Sequence, residues 1–159
     1  NDLFEAMPHL IDYEIEYEYE VPDCYGGTFK LDIALLQDGK VKVALLVKAI
    51  NSNFGKNLNN YLNTTTGEAM RCGLSPINIP EIIFVTVAPR VAPRFKSNGD
   101  VDGFDEVERI KSSRSHSQVF DLLTANVWAM DFFYDIDNIK SFTHKDQFQN
   151  ITITNLQTK

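Results

Sequence analysis

Residues 81–88 read EIIFVTVA, a continuous apolar run rich in β-branched side chains. A strand with one face in water alternates, so an unbroken run of this length marks a strand buried on both faces. Such a strand needs covering layers, and helices are the usual cover, which points to an α/β domain. Other segments supply the rest of a sheet. Residues 11–21, IDYEIEYEYEV, alternate strictly, with Ile11, Tyr13, Ile15, Tyr17, Tyr19 and Val21 on one face and five acids on the other. That is a strand whose acid row faces solvent and discourages edge pairing. After a turn at PDCYGG, TFKLDIALL and VKVALLVKAI form two more strands joined by Asp38-Gly39, a tight-hairpin dipeptide. On the second, Val41, Val43, Leu45 and Val47 form a core face, while Lys40, Lys42, Ala44, Leu46 and Lys48 share the other.

Helical spacing appears in NSNFGKNLNNYLNTTTGEAMRCGL, which is polar at first and then carries Tyr61, Leu62, Ala69 and Met70 before stopping near Gly73. A short helix begun by Asp102 or Asp105 is predicted in DGFDEVERIKSS. The longest helix is predicted over 117–135, with Val119, Phe120, Leu123, Val127, Met130 and Phe133 along one side. DLFEAMPHL reads as the end of an N-terminal helix, and QNITITNLQ as a closing strand. The expected fold is a single α/β domain over 1–159, a mixed central β-sheet flanked by helices.

Composition narrows the function. With 43% hydrophobic and 23% charged residues the chain has the balance of a globular protein. No apolar stretch reaches the roughly 18 residues that span a bilayer, and no basic segment followed by an apolar run opens the chain, so a cytoplasmic protein is expected, with no membrane partner. Cys24 and Cys72 lack metal-ligand spacing and read as reduced thiols. The net charge of −7 is uneven: residues 1–23 hold eight acids and no Lys or Arg, so the other 136 residues sum to +1. Gly-rich phosphate loops, HExxH and GxSxG are all missing.

One constellation carries chemistry. Asp32 sits inside an apolar strand, where a carboxylate must be paired, bound to metal or placed at a cleft. Lys48 lies near the end of the next strand. A carboxylate on one strand, with a carboxylate and a lysine two residues apart on its neighbour, would hold Mg²⁺ between the strands and stand the lysine beside the attacking water. Asp23, in a literal Pro22-Asp23, is the alternative first acid, although an Asp after a Pro is usually a turn former, and Asp32 is preferred.

KLDIALLQDGKVKVALLVK resembles the core of the PD-(D/E)xK nuclease superfamily, which includes many type II restriction endonucleases. The resemblance covers residues 10–90 and implies a restriction-endonuclease-like fold and a metal-dependent endodeoxyribonuclease, using Mg²⁺ or Mn²⁺. Asp32 stands at the first acid and Lys48 at the lysine. The second acid is replaced by Leu46, and three accounts stay open: the acid has migrated to the following helix as Glu68, it has been lost to leave an inactive module that binds DNA or protein, or the register is coincidental. Glu20, or Glu18, is a candidate additional metal ligand. Asn51, Asn53, Lys56, Arg90, Arg94, Lys96 and Arg114 are candidate DNA contacts, with a solvated charged surface as the alternative. Double-strand cleavage would imply a homodimer, with the helix over 117–135 as interface.

Overall fold

The structure, a computed structural model, describes residues 12–112 and 126–158. Strands β1 (Glu14–Pro22) and β2 (Thr28–Gln37) pair antiparallel from Glu14 opposite Leu36 to Pro22 opposite Thr28. β2 turns back into β3 (Lys40–Ala49) through Asp38 and Gly39, whose φ angles of 53° and 69° are both positive. A type I′ hairpin requires that pair of angles, and Asp-Gly supplies it at low cost. The helix α1 (Phe54–Gly73) follows, then β4 (Glu81–Pro89), the hairpin β5 (Val91–Phe95) and β6 (Val101–Glu106), the short helix α2 (Val107–Ser112), β7 (Val127–Ile136), two 3₁₀ turns and β8 (Ile153–Thr158).

Six strands form one mixed sheet in the order β1-β2-β3-β4-β7-β8, and β5 and β6 form a second, two-stranded sheet. β7 and β8 are antiparallel. β4 and β7 run the same way: Ile82 N–H bonds to the Asn126 carbonyl, Arg90 N–H to the Tyr134 carbonyl, and both partners advance together. The run EIIFVTVA is β4, an interior strand, with Ile82 through Thr86 all buried.

The fold groups into two compact units. One comprises 12–47, 64–85 and 126–129; the other comprises 48–63, 86–112 and 130–158. In the first, Ala34, Ala44 and Leu46 of the sheet pack with Ala69 and Cys72 of α1 and with Ile79, Ile82 and Phe84. In the second, Phe54, Leu58 and Tyr61 of α1 pack with Ala88, Ala92, Val107 and Phe133. The buried residues of α1 recur at 54, 58, 61, 65, 69 and 72, a single stripe at helical spacing. The helix therefore begins at Phe54, inside the Asn-rich stretch, because Asn57, Asn59 and Asn60 fall on its exposed face.

Two expectations are corrected. The helix predicted over 117–135 is not one helix, because 127–136 is strand β7, flanked by β4 and β8. The run VWAMDFFYDI is apolar enough to satisfy either period, and pairing with its neighbours decides it. Residues 113–125, including Arg114 and much of the segment expected to form a homodimer interface, lie outside the described residues, as does the predicted N-terminal helix. The helix expected to begin at Asp102 or Asp105 instead follows β6 and begins at Val107. Asp105 does not cap it: its carboxylate, 6% exposed, accepts the Gly55 N–H at 3.0 Å and meets Arg94 at 3.2 Å.

Candidate active site

The pairing of β2 with β3 runs from Gln37 opposite Lys40 to Ile33 opposite Leu45, and Asp32 is the next residue of β2. Just past that last pair a side chain meets the backbone of the neighbouring strand. Val47 N–H donates to Asp32 Oδ2 at 2.5 Å. This bond accounts for a carboxylate in an apolar strand, since a half-buried acid needs a donor. The other oxygen, Oδ1, accepts no hydrogen bond from the described residues.

Leu46, in the place of the expected acid, is 2% exposed and packs in one cluster with Ala69 and Cys72. That position is core. Glu68 precedes Ala69 on α1, half-buried, with one carboxylate oxygen shielded from solvent. Cys72 lies four residues on, one turn along the same helix face. Burial chiefly, and the Glu68 charge next, push the Cys72 thiol up to about 12, while Arg71 opposes them. Glu68 thus belongs to the side of α1 that covers the sheet face bearing Leu46. Lys48 is half-buried on β3, two residues beyond Leu46, and falls in the second unit.

Mg²⁺ commonly takes one or two carboxylates and completes its shell with water, and Asp32 and Glu68 are donors of that kind. Among the described residues no three His, Cys, Asp or Glu side chains gather as a metal-binding group. Glu20 and Glu18 are exposed on β1; Glu20 lines a cavity with Lys40 and Lys42, and Glu18 lies 3.9 Å from Lys30.

The literal Pro-Asp acid has a different fate. Asp23, 4% exposed, accepts the N–H groups of Tyr25 and Gly27 at 2.9 Å each and meets Arg71 at 2.5 Å. The Arg71 hydrogen bond, followed by the Gly27 N–H, holds its carboxyl below the usual range. Arg71 also lies over the Phe29 ring, 4.8 Å from its centroid. The Asp23 oxygens are occupied in closing the β1–β2 loop and fastening it to α1.

In the second unit, three of the expected DNA contacts converge at the start of α1. Asn53, with φ of 49°, donates its N–H to the Pro93 carbonyl at 2.8 Å and accepts the Phe95 N–H at 2.9 Å. Lys56 is exposed on the first turn of α1, and Arg94 reaches the same end through Asp105, which also holds Gly55. Lys96, also on the surface, is 4.0 Å from Asp102. Arg90 sits elsewhere, against Glu108 at 3.2 Å, Asp135 at 3.5 Å and Gln157 at 2.8 Å. Asn51 accepts the Tyr134 hydroxyl at 3.0 Å.

A partly buried polar cluster in this unit has no counterpart in the sequence reading. Lys111 Nζ pairs with Asp131 and donates to Thr86 Oγ1 at 2.9 Å, and Thr86 shares a 2.6 Å hydrogen bond with the Tyr61 hydroxyl. Burial lowers the Lys111 pKa, with Asp131 opposing. These four residues come from α2, β7, β4 and α1, so no local pattern announces them.

Comparison with protein-family models, with curated proteins and with solved structures finds no match to this chain. Among the described residues no helix is long and apolar enough to cross a membrane.

Proposed function

We propose that this chain is a metal-dependent endodeoxyribonuclease domain of the PD-(D/E)xK kind, with Glu68 serving as the displaced second acid. The observation that carries the reading is Asp32: a carboxylate at the end of the β2–β3 ladder, oriented by the N–H of Val47, the residue after the one where the resemblance expects an acid. Its supports are Glu68 on the helix side covering that face, and Lys48 two residues along β3 from Leu46. Mg²⁺ held by Asp32 and Glu68 would polarise the scissile phosphate and favour hydroxide formation from a bound water. Lys48, as the lysine of the motif, would orient water and offset developing negative charge. Lys56, Arg94 and Lys96 are basic groups for phosphate contact, which positions a duplex without reading its sequence.

A second reading is favoured by Leu46. Its burial fits a domain that has lost its second acid and retains a nuclease-like fold for binding DNA or a protein partner.

Incubation with plasmid DNA in Mg²⁺ or Mn²⁺, with EDTA as control, tests the first reading. Cleavage that disappears in Asp32→Ala and Lys48→Ala supports it; full activity in both variants overturns it. Loss of activity in Glu68→Ala supports the displaced acid. An inert wild type that gains metal-dependent cleavage on Leu46→Glu establishes the second reading.

A further inference from the structure

The first unit holds a half-open cavity of about 570 Å³ that none of Asp32, Lys48 or Glu68 lines. It lies between residues 19–22 of β1, residues 39–42 at the start of β3, and residues 77, 78 and 80 ahead of β4. Its floor is the edge of the hydrophobic core: Val21 and Val41 are 1% and 6% exposed, and Tyr19 and Ile77 pack against the same cluster. Pro22 and Pro80 extend the wall without adding a backbone donor.

Polar groups gather on the rim. Lys40 and Lys42 of β3 both line the cavity. Neither has an ion-pair or hydrogen-bond partner among the described residues, although the whole chain carries a net charge of −7. Glu20 is the one carboxylate on the wall, so the lining is net positive. Two unpaired ammonium groups beside an apolar floor suit a ligand with an anionic head and an apolar body: the head gains charge-assisted hydrogen bonds and the body leaves water. The volume lies within the roughly 300–1,000 Å³ typical of small-molecule sites.

We propose that this cavity binds a small organic anion, with its anionic head at Lys40 and Lys42 and its aromatic or aliphatic body against Val21, Val41 and Ile77. The site is independent of the nuclease reading and stands or falls separately from it. A nucleotide and a fatty acid share this chemistry.

The test is an amide chemical-shift titration of the whole chain with anilinonaphthalene sulfonate, followed by competition with adenosine monophosphate and with decanoate. The expected result is saturable one-to-one binding, with shifts concentrated at 19–22, 39–42 and 77–79. The Lys40→Ala/Lys42→Ala double variant should bind about tenfold or more weakly, the loss expected for removing charge-assisted hydrogen bonds. Asn78→Trp, a substitution at an exposed wall position, should block binding and leave the rest of the spectrum in place. Displacement by adenosine monophosphate assigns the nucleotide source, and displacement by decanoate the lipid source. No binding, shifts clustered elsewhere, undiminished affinity in the double lysine variant, or displacement by neither competitor overturns the proposal.

Discussion

Asp23 and Asp32 lie nine residues apart in sequence, and the chain uses their carboxylates in opposite ways. Asp23 is enclosed: two loop N–H groups and Arg71 hold it. Asp32 is engaged on one oxygen, by Val47, at the place where β2–β3 pairing passes to a side chain. A carboxylate whose acceptor sites are taken stabilises the fold but has little left to offer a ligand. One held by a single donor is oriented and still has coordinating capacity. The Pro-Asp dipeptide that looks most like a motif is structural, and the inconspicuous acid inside TFKLDIALL is the chemical candidate.

Exchanging the two roles experimentally gives the largest expected contrast. Asp32→Ala should reduce metal-dependent plasmid cleavage to background while leaving the urea unfolding midpoint close to wild type; Asp23→Ala should do the reverse. Similar losses of activity and midpoint in both variants would break the distinction. Next in size, Leu46→Ala should cost about 2–5 kcal/mol in urea unfolding, because it opens a void against Ala69 and Cys72. A cost under about 1 kcal/mol would mean that this layer is loosely packed and has room for an acid.

The two cysteines label the same two regions. Cys24, half-exposed, belongs to the loop closed by Asp23, and buried Cys72 belongs to the layer under α1 that contains Leu46. At pH 8 a thiol reagent should modify Cys24 rapidly and Cys72 only as fast as the protein opens, since the Cys72 thiol is pushed up to about 12 and is shielded. Equal rates would erase the contrast. A smaller effect concerns Asp23 and pH. Asp23 has a lowered folded-state pKa, so its stabilisation is fully present above the ordinary carboxylate range and is lost as pH falls through the lowered value. The midpoint gap between wild type and Asp23→Asn should therefore be widest near neutral pH and close in acid. The smallest effect concerns DNA: Lys56→Ala should weaken binding uniformly across sequences and reduce the salt slope by about one, as for one lost phosphate contact.

Much of the sheet is legible locally. β1, the β2–β3 hairpin with its Asp-Gly turn, and β4 follow from alternation, turn chemistry and an unbroken apolar run. β7 is not legible, because Phe132, Phe133 and Tyr134 are buried in succession, which blurs both periods. β5 is hidden by Pro93, a residue that argues against a strand, in a hairpin outside the main sheet. Asp32 is legible because a carboxylate among apolar residues needs an explanation. The roles of Arg71 and Lys111 are not, since their partners lie 48 and 20 residues away in sequence. The cavity at Lys40 and Lys42 is assembled from three separate segments and has no sequence signature.

The bond from Val47 to Asp32 also makes one backbone amide a built-in sensor. Its hydrogen is held by a side chain instead of a strand carbonyl, so its resonance responds to what occupies that carboxylate. A cation arriving at Asp32 would draw electron density from the acceptor and move a single peak, whether or not any DNA is cut. Occupancy of the site can thus be followed separately from turnover, even in a chain whose second acid is gone.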